Sequence, residues 1–336
     1  MGRNLKKKNI KFISEIASSH NGSKILLNNL IKKIEAQKNI DFFKIQIFKN
    51  KNLCHRSSHL FKILKKIEIT FYDWNKIIAK IKNKNRVILE PFDKESYIFC
   101  KSFKKINKIK IPSGENENYE LIFDALKNYK KVFINFSGLT NLQIKKFCKK
   151  FKKYRKKIIL MYGFQSYPTN INDLRLSRLK IISNLGFNCG FADHSNSENI
   201  GETYMTILNA IENGAKYIEK HVTPSTEMNL PDKISSIDVQ ELSMITKNLK
   251  LYNNFNKSQN ISKNELKYCK VMNKFAISKL DIKKNEKFNF NKLIFLRTGK
   301  KGISYSKLSQ LNKKKDLIYK KSIKKNSIIS LSSFYD

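Results

Sequence analysis

The sequence predicts an α/β chain, a (β/α)₈ barrel followed by a small, mostly β domain. Three observations carry this. Eight short apolar runs alternate with longer, lysine-rich runs of helical period. The ends of those eight runs bring polar or ionisable residues, while their interiors are mostly apolar. Beyond Leu251 a polar stretch follows, and after it come short alternating runs with little helical signal.

The strands are expected at 12–15, 42–48, 87–90, 106–111, 132–136, 158–162, 189–192 and 217–219. Helical runs lie between and after them, at 26–37, 72–82, 119–127, 141–153, 174–185, 200–213 and 239–251. Strand–helix alternation repeated eight times argues for a closed parallel barrel. An open, doubly wound sheet would want a glycine-rich phosphate loop after its first strand, and Ser18-Ser19-His20-Asn21-Gly22 is not one. The expected organisation is a barrel over 1–252, a linker over 253–270 and a second domain over 271–336. Two phrases in the last part resemble each other, LDIKKNEKF and KSIKKNSII, each an apolar step, a basic turn and another apolar step.

The chain has 336 residues, which fits a barrel plus one small domain. Five cysteines (Cys54, Cys100, Cys148, Cys189 and Cys269) show no paired metal-ligand spacing and read as free thiols in a reducing compartment. No apolar stretch reaches the roughly 18 residues of a membrane span. The basic, then apolar N-terminus is too interrupted for a signal peptide and reads as a first strand, so a cytoplasmic enzyme is expected. The formal net charge is +41, but lysine is spread over the whole chain with Asn and Ile rather than gathered in one arm. Nucleic acid is therefore not expected as the main ligand, although a positive field favours anionic substrates.

In a barrel the C-terminal strand ends form the active-site face. Those positions hold Glu15 and His20, Lys44 and Gln46, Glu90, Ser113 and Glu115, Ser137, Gln165 and Tyr167, Asp193 and His194, then Glu219, Lys220 and His221. His194 and His221 follow the seventh and eighth strands, whose ends are neighbours, so the two imidazoles can share one divalent ion and leave positions open for substrate. The plainer alternative is that each caps its own loop. Lys44 alternates with Gln46 inside an apolar strand and points into the barrel, where a buried ammonium needs an anion. That anion is either a substrate phosphate or carboxylate, or an internal partner such as Glu15 or Glu90. Ser113-Gly114-Glu115 offers N–H groups and a hydroxyl to an anion, but is also ordinary turn chemistry. Glu15 is a candidate general base or water-orienting group. Asp232, in Asn229-Leu230-Pro231-Asp232, sits on the long loop after strand eight and suits sugar hydroxyls or a turn. Arg297 lies in the second domain, and its position alone assigns it nothing.

Together these phrases resemble the sialic-acid synthase family, the N-acetylneuraminate, legionaminate and pseudaminate synthases with a NeuB-like barrel. The matching stretches are EIASSHNGS (15–23), FKIQIFK (43–49), KIPSGENENYELI (110–122), SYPTNINDLRL (166–176), GFADHS (190–195) and IEKHVTPSTEMNLPD (218–232). LDIKKNEKF and FLRTGKKGI then look like the family's C-terminal SAF domain, which is similar to type III antifreeze protein.

The resemblance implies a transferase that condenses phosphoenolpyruvate with an open-chain N-acylated amino sugar. It implies a divalent metal, typically Mn²⁺ with Mg²⁺ or Co²⁺ as substitutes, on His194 and His221, polarising the sugar aldehyde. The enol carbon attacks the aldehyde, water adds at the former enol carbon, and phosphate leaves by C–O cleavage. Glu15 would orient that water or stabilise the developing charge, with Lys44 and Glu115 as further catalytic groups. Lys44 and Ser113 would bind phosphoenolpyruvate, Gln165, Tyr167 and Asp232 would face the sugar, and Gln46 and Asp193 count among the substrate-binding residues. Arg297 matches the arginine that enters the partner subunit's site, which implies a homodimer with swapped C-terminal domains. The chain departs from the family at Glu90, where a small hydroxyl residue is usual, at Phe136 and Ala192, where serine is common, and at Gly163-Phe164-Gln165. Two other readings stay open: a divergent barrel enzyme acting on another small substrate, and a basic, non-enzymatic protein binding glycan or nucleic acid.

Overall fold

The computed structural model describes residues 9–255, 260–299 and 302–335. The basic start of the chain, the middle of the expected linker and part of FLRTGKKGI lie outside those residues. Two compact units divide after Phe255.

The first unit is the barrel. Its strands are β1 (Lys11–Glu15), β2 (Phe42–Ile47), β3 (Val87–Pro91), β4 (Lys108–Ile111), β5 (Lys131–Asn135), β6 (Ile158–Tyr162), β7 (Asn188–Asp193) and β8 (Ala215–Thr223). Each pairs in parallel with the next, and β8 pairs with β1, which closes the ring. A further short strand, β9 (Ser236–Asp238), runs parallel to the upper half of β8, pairing Ser236 with His221. The helices are α1 (Lys24–Ala36), α2 (Asn50–Leu53), α3 (Leu60–Ile67), α4 (Phe71–Lys80), α5 (Lys94–Lys101), α6 (Tyr119–Asn128), α7 (Asn141–Lys150), α8 (Arg178–Asn184), α9 (Ile200–Glu212) and α10 (Val239–Phe255). The eight expected strands are all present. The short elements β9, α2, α3 and α5 are additions to the sequence reading, and the helix expected from 174 starts at Arg178.

Local chemistry starts these helices. The Ser23 hydroxyl accepts from the Leu26 N–H, and Leu27, Leu30, Ile31 and Ile34 form the buried stripe of α1 at three- and four-residue spacing. Thr140 and Gln143 form a capping box on α7. The main core lies between strands and helices. A second, smaller core fills the barrel floor, with Ile13, Ile88, Phe133, Ile159 and Met161 packed against Phe42 and Tyr217. Phe133 meets Tyr217 edge to face at 5.3 Å.

The second unit contains α11 (Lys263–Met272), β10 (Lys274–Ser278), β11 (Leu293–Arg297) and α12 (Tyr305–Lys314), with β10 and β11 antiparallel. The polar stretch read as linker is thus partly helix: the Ser262 hydroxyl caps α11 by accepting from Glu265 N–H. The two similar phrases pair with each other. Ile282 and Ile323 exchange backbone hydrogen bonds at 2.8 and 2.9 Å, and the Asn of each KKN turn, Asn285 and Asn326, takes φ 65°. Asn is among the residues that tolerate this left-handed conformation. Among the described residues no helix is long and apolar enough to cross a membrane.

Candidate active site

The site stands one layer above the barrel floor and follows from the two-residue period of a strand. Two residues after floor residue Ile13 comes Glu15; after Phe42 comes Lys44, then Gln46. Two after Ile88 comes Glu90, two after Phe133 comes Asn135, and two after Tyr217 come Glu219 and then His221. Lys110 occupies the matching place on β4. A cavity of about 340 Å³ opens over these side chains, lined also by Ser18, Ser113, Gln165, Tyr167, His194 and Asp232.

At its base five charged groups meet out of water. Lys44 touches Glu15, Glu90 and Glu219, the last at 3.0 Å. Lys110 donates to Glu219 Oε1 at 2.7 Å and lies 3.6 Å from Glu90 Oε1. Each of the five is at most 4% exposed. Burial would raise Glu219, but Lys110 and Lys44 beside it hold it well below the ordinary carboxylate range. Burial pulls Lys44 down. Burial opposes the charge on Lys110 too, yet Glu219 and Glu90 outweigh it and hold its ammonium above the lysine range. The internal partners foreseen for Lys44 are both present, and a third joins them.

Above this base His194 and His221 stand at right angles, with ring centroids 5.1 Å apart. Burial lowers His194 to about 4 and His221 well below its usual 6.5, so both rings are neutral near pH 7, the form that ligates metal. His194 Nδ1 bonds the Phe164 carbonyl at 2.7 Å, which fixes the tautomer and leaves Nε2 as the lone-pair nitrogen. His221 Nδ1 is buried without a hydrogen-bond partner, 3.7 Å from Asp232 Oδ2. Glu219 Oε2 is likewise buried and unpartnered. These orphaned atoms suit a divalent ion on the two imidazoles. The backbone is firm here: His221 is paired with Glu15 on one side and Ser236 on the other, and Ser235 Oγ donates to the His194 carbonyl at 3.0 Å.

Tyr167 forms one wall, its ring 4.5 Å from His194 and 5.3 Å from His221. Its hydroxyl donates to Gln165 Oε1 at 3.0 Å. Gly163 is required where β6 leaves the barrel, because a Cβ there would sit 2.3 Å from the Ala192 carbonyl oxygen. Asp232 adopts φ 61°, and burial raises its carboxyl above the usual range.

Of the residues singled out from sequence, Lys44, Gln46, Ser113, Gln165, Tyr167, His194, His221 and Asp232 line this one cavity, and Glu15 lies just beneath, on Lys44. Three lie elsewhere. Glu115 is on the short turn after β4, accepts from Asn118 Nδ2 at 2.8 Å, and lines a separate cavity of about 460 Å³ with Tyr97 and Asp124. Asp193 is fully buried and pairs with Lys220 at 3.1 Å, because Lys220 alternates with Glu219 and His221 and so leaves the interior. Arg297 is exposed on β11 in the second unit. Lys110, Glu219 and Asn135 carry no role in the reading of the sequence, yet all three line the cavity. Phe136 is buried against Tyr162, and its neighbour Asn135 supplies the polar group of β5.

A model of the NeuB family matches residues 30–261. The chain belongs to the NeuB family. It is 29% identical over 301 residues to an N,N'-diacetyllegionaminic acid synthase of Campylobacter jejuni, covering 82% of this chain and 87% of that one. It is 24% identical over 324 residues to a synthase of the same name from Legionella pneumophila, covering 89% and 88%. Among solved structures, the N-acetylneuraminic acid (sialic acid) synthetase of Leptospira borgpetersenii has the same fold, with a TM-score of 0.66 and 22% identity over 78% of this chain and 92% of that one. A NeuB-family barrel therefore carries the histidine pair and the buried charge cluster.

Proposed function

We propose that the protein is a nonulosonate synthase: it condenses phosphoenolpyruvate with an open-chain, N-acylated amino sugar and releases phosphate. The observation that carries this is the single cavity in which two neutral, buried imidazoles stand directly over two buried lysines. One half suits a metal-held aldehyde, the other an anion. The similarity to two diacetyllegionaminic acid synthases favours a diacylated diamino sugar over N-acetylmannosamine.

In this reading Lys44 and Lys110 hold the anionic groups of phosphoenolpyruvate, with Ser113 and Gln46 at the rim. Tyr167, Gln165 and Asp232 orient the sugar against the histidine wall. Glu15 accepts from the Ala17 N–H at 2.7 Å through one oxygen and faces Lys44 through the other, which suits a group that orients water at the enol carbon. A divalent ion on His194 and His221, Mn²⁺ in our reading, would polarise the aldehyde oxygen. The second unit acts as an SAF-type domain, and Arg297 serves the cavity of the other protomer in a homodimer.

The test is release of inorganic phosphate that requires phosphoenolpyruvate, Mn²⁺ and sugar together, with the nine-carbon product identified by mass spectrometry. Absence of phosphate release across acylated hexosamines and diamino sugars would rule the proposal out.

A further inference from the structure

The base of the cavity already holds its own anion. Two lysines face three carboxylates there, and the three are not held alike. Glu15 is tied to the backbone by the Ala17 N–H at 2.7 Å. Glu219 Oε1 accepts from both lysines, at 3.0 and 2.7 Å. Glu90 has no backbone tie among the described hydrogen bonds; one of its oxygens is on Lys44 and the other stands 3.6 Å from Lys110. Unlike Glu15, Glu90 lines the open cavity. It therefore stands on the cavity wall between the two ammonium groups, where a bound carboxylate or phosphate would sit; Glu219 lines the cavity too, but accepts hydrogen bonds from both lysines.

We infer that Glu90 is an internal competitor, occupying the Lys44–Lys110 seat until an anionic substrate group displaces it, and that it thereby sets the affinity for that substrate. The inference rests on the proposed use of this seat by phosphoenolpyruvate, but its content is about anions in general. With Glu90 in place, the cluster has a formal surplus of negative charge, and any phosphate entering must break the Glu90 contacts or suffer like-charge repulsion at close range in a poorly solvated site. Without it, two lysines face two carboxylates, and a seat bordered by two ammonium groups is opened. Glu90 is thus a specificity-determining residue. It selects against weakly charged monoanions, which gain too little from the lysines to displace a carboxylate, and in favour of ligands with a phosphate dianion.

The experiment is calorimetric titration of the full-length protein and of the Glu90→Gln and Glu90→Ser variants with inorganic phosphate and with phosphoenolpyruvate, without turnover. Each variant is expected to bind both anions at least about tenfold more tightly than the parent protein, as loss of one close like charge predicts. Folded variants with unchanged or weaker binding would overturn the inference. In parallel, a crystal structure of the unmodified protein soaked in phosphate is expected to show the Glu90 carboxylate moved off Lys44. An anion seated elsewhere, with Glu90 still on Lys44, would overturn it whether or not the variants fold. The two readings fail separately. Tight anion binding by the variants without condensation with any sugar would sink the proposed function alone. Condensation by the parent protein, with no gain in anion binding on loss of Glu90, would sink this inference alone.

Discussion

Lys110 on β4 and Glu219 on β8 face each other from opposite sides of the barrel, yet the lysine Nζ donates to Oε1 across 2.7 Å. Glu219 also accepts from Lys44, so one carboxylate ties β2, β4 and β8 together through the interior. Glu219→Gln takes from Lys110 its one close carboxylate, leaving it only Glu90 at 3.6 Å in a buried site, while Lys44 keeps Glu15 and Glu90. Unfolding by urea is expected to show a loss of about 3–5 kcal/mol, the usual cost of breaking a buried ion pair. A loss under about 1 kcal/mol, the value of an exposed pair, would show that water reaches the cluster.

How much of this was legible in the sequence differs between parts. The eight strands were, because each is a short apolar run, and the histidine pair was, because it ends two such runs in succession. Lys110 stands between Ile109 and Ile111 as Lys44 stands between Phe43 and Ile45, so the alternation that marks a buried lysine is present there too. Glu219 was visible at the rim, but its role depends on which residues lie across the barrel, and sequence does not show that. Asp193 stands beside His194 in sequence, yet its partner Lys220 is fixed by the register of β7 on β8. The strand β9 has three residues, too few for a periodic signal.

Acid is expected to weaken the fold through its buried imidazoles. Burial lowers His20 to about 4 from 6.5, and its Nδ1 accepts from the Gly22 N–H at 3.0 Å. Between these two values the unfolded chain binds a proton that the folded chain refuses. The stability from this group is therefore complete above pH 6.5 and is lost as pH falls toward 4. The shift corresponds to roughly 3 kcal/mol for this residue. Urea midpoints at about pH 7 and about pH 5 measure it, and in His20→Gln the difference between the two should shrink. An unchanged difference would assign the acid sensitivity to other groups.

Divalent metal is expected to raise the melting temperature, since an ion that binds only the folded state stabilises it by mass action. In His221→Ala the shift with Mn²⁺ should disappear, with affinity reduced by at least the roughly 10–100-fold that loss of a supporting group alone costs. A full shift in that variant would place the ion elsewhere.

Tyr167→Phe removes the hydroxyl that donates to Gln165 while keeping the ring against both histidines. One hydrogen bond of about 1 kcal/mol predicts a rise of about fivefold in KM for the sugar. The stabilisation by Mn²⁺ should be unchanged. A change in the metal effect instead would assign the hydroxyl to the histidine pair rather than to the sugar.

Arg297→Ala and His221→Ala are each expected to be inactive. If the proposed swapped homodimer forms, co-expression should restore about a quarter of the normal rate, because half of the randomly paired dimers would be mixed and each mixed dimer would hold one intact site. No recovery in verified mixed dimers would mean that Arg297 does not act across the protomers.

The layering of the barrel interior has a consequence for how the molecule comes apart. The floor, from Ile13 to Met161, is hydrocarbon and holds no group that titrates; the layer above it is held by buried ion pairs and carries polar atoms left without a partner. The cylinder thus has a hard end and a soft end. Leucine and methionine in place of the five charged groups would make both ends hard, and the barrel would then be sturdier and inert.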